Sequence, residues 1–313
     1  MNRLYQLLPV STTSRWVRGL AWASLVSQTL IVGTGGAVRL TGSGLGCPTW
    51  PRCTEDSFVA TPEMGIHGIV EFGNRLLTFV LVIIAIAAFV SILRLRRERP
   101  ELLRLTVALG LGIPAQAIIG GITVLTALNP WIVGLHFVVS TALVALATVY
   151  VHRVYRGARA PLAVPSGDRA LALATTVAAW ITVLVGIIVT GSGPHAGDGG
   201  AARNGLDSEL LQHVHSWPAY VTFALTVLLV VRSVQLGMPR LRRAAIALLG
   251  VELAQIVVGL AQANLGLPEL LVGIHMVLAC VLIAAATLVL LEQRQPVTAS
   301  AQPDSAPEQA LVR

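Results

Sequence analysis

Residues 70–79, VEFGNRLLTF, hold a carboxylate (Glu71), an amide (Asn74) and a guanidinium (Arg75) and run straight into the apolar stretch VLVIIAIAAFV. An unpaired charge inside a bilayer is expensive, so groups placed there are paired or functional. His67, Glu71 and Asn74 follow an i, i+4, i+7 spacing, which puts them on one face of a helix. Three other apolar stretches each carry a histidine, His136, His215 and His275. A lone histidine of this kind serves most simply as a hydrogen-bonding group between helices. Two imidazoles that face each other across a bundle can instead form an axial pair for a haem iron, with the apolar core excluding water. An iron with an open position beside a carboxylate suits oxygen chemistry.

The elements that must position these groups are membrane helices. The chain has 313 residues, 55% of them hydrophobic and 12% charged. Eight apolar runs, at roughly 19–38, 65–93, 105–126, 131–151, 171–190, 210–231, 244–264 and 270–291, are each long enough to cross a hydrocarbon core about 30 Å thick. A net charge of +7 would suggest nucleic acid in a soluble protein, but here the 22 basic residues, all Arg, fall almost wholly in short loops. Arg3, Arg15 and Arg18 precede the first run, and arginines between Arg94 and Arg104, Arg153 and Arg169, and Arg232 and Arg243 follow the second, fourth and sixth. Those loops and both termini are expected in the cytoplasm. The opposite loops carry Glu55, Asp56, Glu63, Asp198, Asp207, Glu209 and Glu269 and face outward. The bilayer is the expected partner and nucleic acid is not. No small-residue cleavage site follows the first run, which therefore reads as a retained span.

The segment AQAIIGGITVLTALNPWIVGLHFV, from Ala115, matches AQIVVGLAQANLGLPELLVGIHMV, from Ala254, at a constant offset of 139. Gln116 falls with Gln255, Gly120 with Gly259, Gly134 with Gly273 and His136 with His275. Spans three and four thus recur as seven and eight, and two halves of four spans in the same orientation predict a pseudo-twofold axis along the membrane normal. The division is an N-terminal segment 1–18, halves at 19–151 and 171–291, a cytoplasmic linker 152–170 and a disordered tail 292–313 rich in Pro, Ala, Ser and Gln.

Counted from the outer ends of their spans, His136, His215 and His275 share one level, roughly 8–10 Å below the surface. Zinc fits less well, because the His215/His275 pair has no evident third ligand unless His213 or His195 reaches in. His213 points to a different helix face from His215, and His195, in the loop GSGPHAGDGG, reads as a solvated residue. Alignment of IVEFGNRLLTF with LLQHVHSWPAY at offset 141 sets Glu71 opposite Gln212 and Asn74 opposite His215. The C-terminal half therefore holds an imidazole pair suited to a coordinatively saturated, electron-passing haem. The N-terminal half has His136, a carboxylate and an amide that ligates iron poorly. His67 lies nearer the surface, where a structural place in the interface also accounts for it.

Cys47 and Cys53, in GLGCPTWPRC, read as a disulfide on the oxidising side, as a loop staple or a redox-active pair. Cys280 is a small core residue. Arg75 is a counter-ion for Glu71 or a partner for a haem propionate, and Arg39 is a second propionate candidate or a solvated loop residue. Gln116 and Gln255 read as structural hydrogen bonders between helices. Glu252 has no counterpart in the other half, where Ile113 stands opposite, and reads as a snorkelling or hydrogen-bonding group.

Taken together, GGAVRLTGSGLGCPTWPRC after the first span, EFGNR in the second, the histidines at 136, 215 and 275, and eight spans in two repeated halves resemble the haem A synthases over roughly residues 19–291. The resemblance implies an all-α membrane protein of two four-helix bundles, with haem b held by His215 and His275. Substrate haem O would lie in the N-terminal half at His136, near His67, Asn74, Arg75 and Arg39. It implies oxidation of a porphyrin methyl group to a formyl group, with Glu71 catalytic and Cys47 joined to Cys53. It also implies a multi-pass place in the bacterial inner membrane, a haem O synthase as supplier and an electron donor that the sequence leaves unspecified. The common family motif is Glu-x-x-His-Arg, and this chain has Asn74 at the His position. The second cysteine pair that family members often carry after the fifth span is absent here. Rival readings are a di-haem cytochrome b-like electron carrier, which wants a fourth intramembrane histidine, and a haem transporter, which wants polar groups nearer the midplane.

Overall fold

A computed structural model describes residue 6 and residues 8–157 and 161–294. Among them run eight long α-helices: α1 (Arg15–Leu40), α2 (Gly65–Ser91), α3 (Pro100–Leu125), α4 (Pro130–Arg156), α5 (Ser166–Ser192), α6 (Ser208–Gln235), α7 (Pro239–Asn264) and α8 (Glu269–Leu291). Among the described residues there is no β-strand, only an isolated bridge between Leu162 and Arg294. The tail expected to be disordered lies, from residue 295 on, outside the described residues. Its first residues, Glu292 and Gln293, are buried.

Helices α2 to α8 are long and apolar enough to cross a membrane, as expected of a multi-pass membrane protein. The first helix has the length, 26 residues, but Ser24, Ser27, Gln28, Thr29 and Thr34 interrupt its apolar run. Ser24 and Gln28 are buried, so these polar groups face protein while Trp22, Val26 and Leu30 point outward. Proline begins α3, α4 and α7, where its missing N–H costs nothing. Asn129 caps α4 by accepting from the Trp131 N–H, and Asp207 caps α6 by accepting from those of Glu209 and Leu210.

The duplication reaches the backbone of the turns. Leu128 and Leu267, 139 residues apart, both take a left-handed conformation (φ 59° and 60°). Each donates its N–H across a 2.8 Å bond, Leu128 to the Thr123 carbonyl and Leu267 to that of Gln262, again 139 apart. Left-handed leucine is strained, and its recurrence at matched positions marks one turn design used twice.

Helix contacts close two circuits. In the first, α1 packs on α2, α2 on α3, α3 on α4 and α4 on α1; in the second, α5, α6, α7 and α8 do the same in order. The circuits meet through α1 with α8, α4 with α8 and α4 with α5. Each circuit has its own apolar core, one around Val17, Leu102, Ala147 and Tyr150, the other around Ala179, Leu229, Leu248 and Ile283. Both cores lie toward the end where α1 begins, called here the base. The opposite end bears the loops 41–64 and 193–207, a smaller apolar cluster around Leu128, Ala196 and Ala201, and the histidines.

Candidate haem site and its carboxylate

His136 on α4, His215 on α6 and His275 on α8 are set in the same way. Each ring lies against a glycine of the neighbouring helix: a Cβ on Gly120 of α3 would come within 3.3 Å of His136 Cε1, one on Gly186 of α5 within 2.9 Å of His215, and one on Gly259 of α7 within 3.4 Å of His275. Glycine is the residue that lets a ring approach a helix backbone this closely. The Nδ1 atoms of all three rings are buried without a hydrogen bond. Gln116 donates to the His136 carbonyl at 3.0 Å and to the Ser140 hydroxyl, and Gln255 donates to the His275 carbonyl at 3.3 Å.

The His215 and His275 rings have centroids 6.3 Å apart at an interplanar angle of 73°. Two imidazoles that bind one metal from opposite sides through bonds of about 2 Å hold their centres roughly 6 Å apart. The separation of the pair is compatible with that distance. Among the described residues no three His, Cys, Asp or Glu side chains converge on a common point.

In the other circuit Asn74 on α2 lies beside Gly35 of α1, whose Cβ would stand 4.0 Å from the amide nitrogen. Its Oδ1 accepts from the Thr34 hydroxyl at 2.7 Å. The line His67, Glu71, Asn74 runs along α1 and the first loop: His67 Nδ1 meets the Ser43 hydroxyl at 2.9 Å, and Glu71 Oε2 accepts from the Cys47 N–H at 2.6 Å. Glu71 is buried, whereas His67 is exposed.

Arg75, one turn along from Glu71, donates to its Oε1 at 2.6 Å. The same guanidinium donates to the carbonyls of Cys47 (3.1 Å), Thr49 (3.0 Å) and Arg52 (3.1 Å). Arg75 is therefore a counter-ion that also fastens the loop closed by the Cys47–Cys53 disulfide. From that loop Trp50 packs on Gly121 of α3. A bidentate carboxylate between a backbone N–H and a guanidinium is strongly oriented.

Arg39 donates to the carbonyls of His195 (2.7 Å) and Thr190 (2.9 Å), and the Gly44 N–H donates to the Gly197 carbonyl at 2.8 Å. These bonds join the two loops across the circuits, so Arg39 and the backbone of His195 act as a seam. His213 is exposed. Sequence reasoning missed Thr34, the partner of Asn74, and the role of Gly35 and Gly186. Gly120 and Gly259 stood out in the repeat, but only the structure shows that a ring rests on each.

A family model described as cytochrome oxidase assembly protein, COX15-CtaA, matches residues 18–288. A heme A synthase of Geobacillus thermodenitrificans is 32% identical over 108 residues, 34% of this chain and 33% of that protein. A heme A synthase of Geobacillus kaustophilus is 29% identical over 133 residues, 42% of this chain and 41% of that protein. One of Listeria welshimeri is 29% identical over 122 residues, 37% of this chain and 38% of that protein. The chain thus aligns with between a third and about two fifths of the length of these relatives.

Proposed function

The chain belongs to the COX15-CtaA family of cytochrome oxidase assembly proteins, and from that premise we propose that it is an oxidoreductase that converts haem O to haem A. In this reading all eight helices, α1 included, span a bacterial inner membrane as two four-helix bundles related by a pseudo-twofold axis, with both termini in the cytoplasm. The observation that carries it is the asymmetry between matched slots. One circuit sets two imidazoles 6.3 Å apart; at the positions that the repeat matches to them the other has His136 and Asn74, and Asn74 shares its helix with a buried carboxylate that accepts from two partners.

His215 and His275 would hold haem b, which supplies one-electron transfer when bound. The three ring-bearing glycines let the helices close on the imidazoles, and the apolar helix faces around them exclude water. Haem O is the substrate, held at His136, and its methyl group is oxidised in steps to a formyl group. Each of two steps takes one dioxygen, two electrons from a donor and two protons, places one oxygen atom on the methyl carbon and releases the other as water, and the hydrate so formed loses water to give the formyl group. Glu71, aimed by the Cys47 N–H and Arg75, is the group placed to carry those protons. Asn74, tied down by Thr34, leaves the slot that matches His215 without an imidazole. His67 lies outward of Glu71 beside the Ser43 hydroxyl, a contact for the outer edge of the substrate. A haem O synthase would deliver the substrate, and a separate membrane donor would supply electrons.

The test is the optical spectrum of the purified full chain, followed by analysis of haem extracted after co-expression with a haem O source. A haem b spectrum that either His215→Ala or His275→Ala abolishes, together with haem A in the extract, is expected. A haem b spectrum without haem A would point to an electron carrier, and absence of haem would overturn the reading.

A further inference from the structure

Glu252 on α7 is a buried carboxylate that the chemistry above does not use. It is 6% exposed, its Oε1 accepts from the Thr226 hydroxyl of α6 at 2.7 Å, and its Oε2 is buried without a partner. It lies seven residues, about 10 Å along the helix, toward the base from Gly259, on which His275 rests. At the matched position of the other circuit stands Ile113, also buried. The acid thus occurs only in the circuit that holds the imidazole pair.

Three buried hydroxyls lie between the two places. Thr222, one turn from Thr226 on α6, meets Thr182 of α5 at 3.2 Å, and Thr182 is one turn from Gly186, on which the His215 ring rests. All three threonines are buried. The charged and titratable groups on the packed elements leave Glu252 alone: on α6, Arg232 pairs with Asp168 at 2.7 Å, and Glu209 and His213 are at the loop end. On α8, Cys280 turns to Thr141 at 3.8 Å and Glu269 begins the helix. On α7 itself, Arg243 is nine residues away at the base end. What remains within the bundle is the His215/His275 site.

We propose that Glu252 binds a proton when an electron arrives at the His215/His275 site. The inference rests on the haem b reading of that pair. An electron added inside an apolar bundle leaves an uncompensated charge in low dielectric, and a carboxylate with a free oxygen takes up a proton to cancel it. The balance is one electron from a reductant to the metal and one proton from water to Glu252 Oε2, with no bond broken between heavy atoms. Thr226 holds the other oxygen throughout.

The test is a potentiometric titration of the haem b spectrum of the full chain in lipid nanodiscs, repeated from acid to alkaline pH with dithionite as reductant. The midpoint potential of the wild type is expected to fall as pH rises, and Glu252→Gln and Glu252→Ile to flatten most of that slope while keeping the haem. An independent readout on the unaltered chain is the infrared difference spectrum on reduction, in which a protonated carboxyl band that shifts in D2O is expected and is lost in Glu252→Gln. A slope and a carboxyl band unchanged by Glu252→Gln, or a wild-type potential flat with pH, would overturn the proposal alone. A wild type that binds no haem would instead contradict the reading of the imidazole pair.

Discussion

Glu71 has one oxygen on the Cys47 N–H and the other on Arg75, so its position depends on a loop 24 residues away in sequence. Removing the guanidinium with Arg75→Ala would strand a buried carboxylate, a loss of about 3 kcal/mol, and free three loop carbonyls. Lower thermal stability and a lower rate of haem A formation are expected, whereas Arg75→Lys, with a point charge in place of a fork, should recover the stability in part. Thermal unfolding of both variants checks this. The Glu71/Arg75 pair was legible because i, i+4 spacing on a helix makes neighbours. The Cys47 and Thr34 contacts were not, because a loop and a second helix supply them and no periodicity records which residue they bring. The mismatch of Asn74 with His215 was visible from the repeat, and the structure adds that Thr34 holds the amide by its oxygen.

Between helices, the recurring unit is a ring on a glycine. Gly186→Ala would put a Cβ 2.9 Å from His215 Cε1, closer than real contacts allow, whereas Gly73 has open space around its α-carbon. Gly186→Ala should therefore displace the ring and lose or alter the haem b spectrum with little loss of fold, while Gly73→Ala should leave the spectrum unchanged. Gly259→Ala, at 3.4 Å, should fall between them. Optical spectra of the three purified variants test the ranking. The offset of 139 made the α3–α4 and α7–α8 pairs readable before any coordinates. The left-handed backbone at Ala127, Leu128 and Leu267 was not readable, since none of these residues favours that conformation. The first helix was placed correctly along the chain, but buried Ser24 and Gln28 interrupt its apolar run.

At the scale of the molecule, apolar runs and arginine-rich loops fixed the number and order of helices in advance. The seams between the circuits could not be read so, because Gly44 with Gly197 and Arg39 with His195 pair residues that share no spacing rule. A further seam lies at the base, where Glu292 accepts from Arg156 at 3.2 Å and has the His152 ring at 3.6 Å. Burial pushes the Glu292 carboxyl up, but the His152 and Arg156 contacts outweigh it and hold the group below its ordinary 4.5. A carboxyl depressed in the folded state adds stability above its unfolded value that is lost as pH falls through the folded one. The thermal midpoint of the wild type should therefore drop more than that of Glu292→Gln as pH falls below about 4.5. The assignment of electron transfer to one circuit and oxidation to the other rests most directly on Glu71. The decisive measurement is the haem content of Glu71→Gln co-expressed with a haem O source: haem B at the wild-type level and haem O without haem A are expected, and haem A at the wild-type level, or loss of haem B as well, would contradict the assignment.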